Sequence, residues 1–317
     1  LDVNDVKWAS ERLRSAPRRV MQFASFPPTL PYYRRPERMT SPGRHAVLFR
    51  DLPGDVAELA GILHGLIIHE HVAGIYGVTL TEDDRASVHV RRTEDLLGLI
   101  YSRDSRPLSV PREPAARLPG NCRHFTVLMV AMLRAQGVAA RARCGFGSYF
   151  GNGLFEDHWV CEYWDAAAQD WKLVDAQIDA KQLEIFAVDF DLTDVPRDRF
   201  LIAGDAWARC REGAADPSVF GLSLIKESGM WWIAANLMRD AAALGNIELL
   251  PWDSWGAMPA PYADIRADEL MLFDRLAGYT QKADEAFDEL QQICADDERL
   301  TVPAAVVNSL RKREEPL

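Results

Sequence analysis

A cysteine, a histidine and an aspartate follow one another along the chain as Cys122, His158 and Asp175, and side chains of these types can together run thiol acyl transfer. A thiolate attacks a carbonyl carbon, an imidazole moves the proton, and a carboxylate orients the imidazole. Cys122 lies in the run Leu-Pro-Gly-Asn-Cys-Arg-His-Phe, directly after the chain-breaking Pro119 and Gly120. Apolar residues then recur at Phe125, Leu128, Met129, Met132 and Leu133, which is helical spacing, and Gly137 after Gln136 offers a left-handed stop. The spacing predicts Cys122 in the first turn of a largely buried helix. Unpaired backbone N–H groups and the positive end of the helix dipole favour a thiolate there.

The elements that must position the other two side chains read as strands. From Val138 to Phe146, small or apolar residues (Ala140, Ala142, Cys144, Phe146) alternate with Arg141 and Arg143, the pattern of a half-buried strand. Gly145, Gly147, Gly151 and Gly153 read as a mobile loop. Asp157 to Trp164 and Trp171 to Asp175 are aromatic and β-branched runs with a polar turn between them, which predicts a hairpin. If Trp164 opposes Trp171, His158 lies opposite Gln177, and Asp175 is its diagonal neighbour on the same face. A slip of one residue would separate them. In the working register Asp175 holds one ring nitrogen of His158 and leaves the other to face Cys122 as general base and then general acid.

Gly120-Asn121-Cys122-Arg123 opening a helix, Leu133 to Arg141, His158 to Glu162 and Trp171 to Asp175 together resemble the core of the transglutaminase-like superfamily. The resemblance covers roughly a fifth to a quarter of the chain. It implies an α+β fold with a papain/transglutaminase-like core, a nucleophile helix packed on an antiparallel sheet, and a triad of Cys122 (nucleophile), His158 (base) and Asp175 (orienter). Trp159 directly follows His158, where the family usually has one intervening residue, and Ala176 stands where a proline is common. Both departures mark a divergent branch, so no substrate is carried over.

The chain has 317 residues, 48% of them hydrophobic, enough for a large core. A net charge of −11 argues against nucleic acid or an anionic membrane as the main partner. Arg12, Arg14, Arg18, Arg19, Arg34, Arg35, Arg38 and Arg44 form a local basic arm, read first as a solvated Pro-rich surface and second as a dock for an acidic partner. Cysteines at 122, 144, 161, 210 and 294 show no Cys-x-x-Cys pairing, so reduced thiols and a cytoplasmic location are expected. No apolar run reaches bilayer length.

In chain order, Val6 to Leu13 has a helical pattern and Phe26 to Tyr33 predicts extended backbone. Asp55 with Glu58 opens a helix expected to end near Gly74 or Gly77. Thr93 is expected to cap Glu94 to Tyr101, and a loop from Pro107 to Pro119 to deliver the chain to Cys122. Beyond Asp175, helices are expected at Ser228 to Leu244, Ala263 to Leu276, Lys282 to Ile293 and Ala304 to Arg313. These signals give one elaborated domain over 1–317: an N-terminal arm and helices (1–92), a transglutaminase-like catalytic core (93–195) and a mainly helical C-terminal elaboration (196–317).

Other residues receive plainer readings. His69-Glu70 begins like a zinc-protease motif, but Ala73 replaces the second histidine, so His64, His69 and His71 read as surface or helix-end residues and no metal is expected. His124 reads as a helix-surface residue, Cys144 and Cys161 as packing. No cofactor is required, and no oxygen-rich loop supports calcium. The leading expectation is a thiol-dependent acyl-transfer or hydrolytic enzyme acting on an amide, ester or thioester carbonyl of a small-molecule, peptide or carrier-bound substrate. The oxyanion would be met by the Cys122 backbone N–H and a second donor, with Asn121 or an N-terminal residue as candidates. The alternative is a non-catalytic transglutaminase-fold binding or scaffold protein.

Overall fold

The computed structural model describes residues 26–317, so the helical pattern at Val6 to Leu13 and the arginines at 12, 14, 18 and 19 lie outside the described residues. Phe26 to Tyr33 is not wholly extended: Leu30–Tyr33 forms one helical turn, which buries Leu30 and Tyr33. Helix α1, Val56–Leu66, starts where the Asp55 carboxylate accepts the Glu58 N–H at 2.9 Å. It ends well before Gly74, because the β-branched pair Ile67-Ile68 enters strand β1, Ile67–His69. Helix α2 spans Thr93–Arg103, with Thr93 as its first buried residue and Arg92, not Thr93, at the cap position. The loop before Cys122 contains strand β2, Leu118–Gly120, paired in parallel with β1 so that His69 faces Gly120.

Helix α3, Cys122–Ala135, is buried on every side from Cys122 to Arg134. A helix without a solvated face has to be enclosed, and α3 lies between α1 and α2 on one side and the strands that follow on the other. Gly137 stops it at φ +78°. Strand β3, Ala140–Gly147, is buried along its whole length. Arg141 and Arg143 are therefore not on a solvated face, and both are paired with acids. Gly145 and Gly147 belong to this strand rather than to a loop.

Strand β4, Phe155–Asp165, and β5, Asp170–Val174, form the expected hairpin, with Trp164 opposite Trp171. Helix α4 is Ala180–Phe186, β6 Phe200–Ile202, α5 Ala203–Arg211, β7 Phe220–Leu222 and β8 Glu227–Ser228. The sheet runs β6-β3-β4-β7-β8, with β5 also on β4. On the outer edge of β4, β7 covers Phe155 and Glu156 and β5 covers Cys161 to Asp165. The stretch 157–160 between them carries no strand on that edge, and His158 sits in this gap. The chain is thus a mixed α+β structure.

Helix α6, Met230–Leu244, closes the free edge of β3: Asp240 accepts the Cys144 backbone N–H at 2.9 Å and two bonds from Arg143. An uncovered strand edge invites pairing with other chains. Trp231 and Trp232 are only half-buried, whereas Ala235, Met238 and Ala242 face the core. Beyond it lie β9 (Asp253–Ser254), α7 (Ala267–Gln281), α8 (Phe287–Asp296), β10 (Ala305–Asn308) and β11 (Arg313–Pro316). The helix expected from Ala304 to Arg313 is instead the β10–β11 hairpin. Its valines alternate, Val306 buried and Val307 exposed, and β10 also pairs with β9, so period two decides, although Pro303 just before Ala304 would suit the first turn of a helix.

One close approach sets β6 against β3. A Cβ at Gly145 would overlap the Leu201 carbonyl oxygen and lie 2.8 Å from the Ile202 Cα. Gly145→Ala is expected to destabilise the fold by on the order of 3 kcal/mol, read as a lowered urea midpoint with an unchanged slope.

Candidate active site

Cys122 is the first residue of α3, and no described residue accepts its backbone N–H. Its side chain is 7% exposed, against 2% each for His158 and Asp175. The β4–β5 register fixes the other two. His158 lies in the strand gap, and three residues beyond the Trp164–Trp171 pair the ladder meets Val174, leaving Asp175 diagonal to it. His158 Nε2 donates to Asp175 Oδ2 at 2.8 Å. Nδ1 is then the nitrogen left to face Cys122, whose sulfur is near enough to help raise the imidazole.

Asp175 has further donors. The Tyr149 hydroxyl donates to Oδ2 at 2.8 Å and the Gln177 backbone N–H to Oδ1 at 2.9 Å. Burial would raise this carboxyl, but the His158 charge and these donors hold it below the usual carboxylate range. Burial would likewise lower His158, yet the Asp175 carboxylate, with the Cys122 sulfur, raises it overall. The pair favours an imidazolium beside the thiol, the electrostatic setting a thiolate nucleophile uses.

Aromatic rings enclose the imidazole. Phe150 stands edge-on to His158 at 5.0 Å between centroids and Tyr149 at 5.9 Å. Gly151 and Gly153, at φ +77° and +74°, carry the chain away from Phe150. A cavity of about 10 Å³ is bordered by His64, His69, Phe125 and Gln177; Cys122, His158 and Asp175 do not line it, though Phe125 lies one turn after Cys122 and Gln177 two residues after Asp175.

The neighbours sort clearly. Asp157 points away from Cys122 and accepts from Trp232 Nε1 at 2.7 Å and Asn236 Nδ2 at 2.9 Å on α6. Glu162 shares the face of His158 but is held by Arg141, Arg143 and Arg197. His124 is fully buried, not on a helix surface: its Nε2 donates to the Val90 carbonyl at 3.0 Å. Burial holds it well below the ordinary histidine range, so it is neutral. Arg123, also fully buried, donates to the Glu248 carbonyl at 3.1 Å and ties the first turn of α3 to the C-terminal third. Sequence reasoning missed Tyr149 and Phe150, which sit in the glycine-rich stretch, and the partial signal was two aromatics between paired glycines.

The His69 and His71 rings lie 5.5 Å apart, but among the described residues no group of three or more His, Cys, Asp or Glu side chains is placed to hold a metal ion. All five cysteines are free thiols. No helix among the described residues is long and apolar enough to cross a membrane.

These observations define a mixed α+β protein with a buried cysteine, histidine and aspartate gathered at a helix start and a strand gap. Residues 85–176 match the family model of the transglutaminase-like superfamily, and all three side chains fall inside the matched stretch. Comparisons with curated proteins and with solved structures gave no significant match.

Proposed function

We propose that the protein is a thiol-dependent acyl-transfer or hydrolytic enzyme that forms an acyl thioester on Cys122. The observation that carries this reading is the buried 2.8 Å His158–Asp175 bond, with the Cys122 sulfur near enough to act on the same ring. In this scheme the thiolate adds to an amide, ester or thioester carbonyl and the Cys122 backbone N–H meets the oxyanion. His158 then gives its proton to the departing amine, alcohol or thiol, and the carbon–sulfur bond remains as a thioester. Water or an amine, deprotonated by His158, attacks that thioester and releases the thiol. The packing of α3 on β3 and β4 supports a papain-like arrangement for this chemistry, in line with the family match over 85–176.

The test is limited alkylation with iodoacetamide at pH 6.5, read by intact mass and peptide mapping. One label, on Cys122, is expected. Cys144 and Cys161 are fully buried, and burial raises both thiols. Burial also raises Cys210 to about 11 and Cys294 to about 12, so neither competes at that pH. His158→Ala should slow the labelling by at least about tenfold, since a one-unit change in thiolate stabilisation is a factor of ten. Equal labelling of several cysteines, or a rate that ignores His158, would remove the reading.

A further inference from the structure

We infer that His69 is the second oxyanion donor of the proposed reaction, its Nε2–H pointing at the oxygen that becomes negative when Cys122 adds to a carbonyl. This assignment rests on the acyl-transfer reading above and adds a catalytic residue to it.

The placement comes from β1 and β2. Their parallel pairing sets His69 opposite Gly120, two residues before Cys122, and the Glu70 N–H donates to the Gly120 carbonyl at 2.8 Å. His69 shares its strand face with Ile67, which packs in the same cluster as Cys122 and Phe125. His69 also borders the small cavity with Phe125, one turn after Cys122, and Gln177, two residues after Asp175.

The proton position follows from hydrogen bonding. His69 Nδ1 accepts the His71 backbone N–H at 3.2 Å. A neutral ring with an accepting Nδ1 carries its proton on Nε2. Among the described residues no group accepts from that Nε2–H, and it is not sealed in as a buried orphan. Burial, reinforced by the nearby charges of His71 and His158, pushes the His69 pKa down to about 3. The ring is a neutral donor throughout the working range, which suits it to polarise a carbonyl without competing with His158 for the proton.

The other candidate donor is engaged. His124 Nε2 must donate to the Val90 carbonyl, so its Nδ1 accepts, taking the Asn121 backbone N–H at 3.1 Å. Asn121 Oδ1 is placed 2.8 Å from that same accepting nitrogen while the Asn121 NH2 has no partner; turning the amide over relieves the repulsion between two acceptors and gives the NH2 His124 as its acceptor.

Two reagents separate a donor to the oxyanion from a structural role. 4-Nitrophenyl acetate acylates a thiol through a tetrahedral oxyanion, whereas iodoacetamide alkylates it by direct displacement and forms none. Both reactions at Cys122 are followed by intact mass in the unaltered protein, His69→Leu and His69→Gln. His69→Leu should slow acylation by about 10²–10³ and leave alkylation within about twofold, while His69→Gln, which retains an N–H, should recover most of the acylation rate. Equal loss in both reactions, no loss in acylation, or a glutamine no better than leucine would overturn the assignment. Unaltered protein that is alkylated but never acylated would instead remove the acyl-transfer reading, and the donor role with it.

Discussion

Asp175→Asn is expected to slow acylation of Cys122 by about 10⁴, on the scale seen when the orienting carboxylate of such a constellation becomes an amide. Every side-chain hydrogen bond of Asp175 is an accepted one. Oδ2 takes His158 Nε2 and the Tyr149 hydroxyl, and Oδ1 takes the Gln177 backbone N–H. An asparagine has one oxygen and one NH2, so it must aim donors either at the Gln177 N–H or at the imidazole and phenol. In the second arrangement His158 flips its tautomer and loses the basic nitrogen beside Cys122. In the first, the imidazolium still loses the carboxylate charge that holds it protonated. Acylation by 4-nitrophenyl acetate from pH 6 to 9, with circular dichroism to check the fold, measures this. A variant that stays folded and acylates within about tenfold of the unaltered protein would remove Asp175 from the role proposed for it.

Glu162→Gln should cost about 3–5 kcal/mol of stability at neutral pH. Glu162 is 1% exposed. It accepts from Arg141 Nε at 2.6 Å, Arg143 Nη1 at 3.1 Å and Arg197 Nη2 at 2.8 Å. Asp284 and Asp240 remain as partners for Arg141 and Arg143, but a neutral glutamine leaves buried guanidinium charge in excess. Burial works to raise this carboxyl, and the arginines more than reverse that, so its folded pKa lies below the unfolded value of 4.5. A depressed folded pKa means that the contribution is complete above the unfolded value and is lost as pH falls below it. The gap between the unaltered protein and Glu162→Gln in urea unfolding should therefore be widest near pH 7 and narrow on acidification toward pH 3. A gap under about 1 kcal/mol, or one indifferent to pH, would contradict this account.

Much of the site was legible because it depends on local signals. Pro119-Gly120 ahead of an apolar run marks the start of α3, and two aromatic runs with a turn mark the β4–β5 hairpin. The Trp164–Trp171 register then follows from turn length and decides the meeting of His158 and Asp175. What escaped depends on distant partners. β1 and β2 are three residues each, too short to show a period, and their partnership joins Ile67 to Leu118 across intervening helices. It cuts α1 short at Leu66 and brings His69 to the site. Arg123, Arg141 and Arg143 suggest a solvated surface by residue type, yet all are buried, because Glu248, Glu162 and Asp240 arrive from elsewhere in the chain. Pro303 ahead of Val306 and Val307 suits a helix start, but the two valines pair with Glu315 and Glu314, and Val307 also with Ser254, so they form a strand.

The seal that α6 places on β3 has a consequence for anyone shortening the chain. The family match stops at residue 176, but the carboxylate that receives the Cys144 amide hydrogen comes from residue 240. A fragment trimmed to the matched stretch would keep the cysteine, histidine and aspartate while baring strand amides and carbonyls beside Arg141 and Arg143, each left to share Glu162 after losing its other carboxylate, Asp284 or Asp240. Such a piece would seek its missing neighbour in other copies of itself, so loss of reactivity in a truncation would report clumping rather than chemistry.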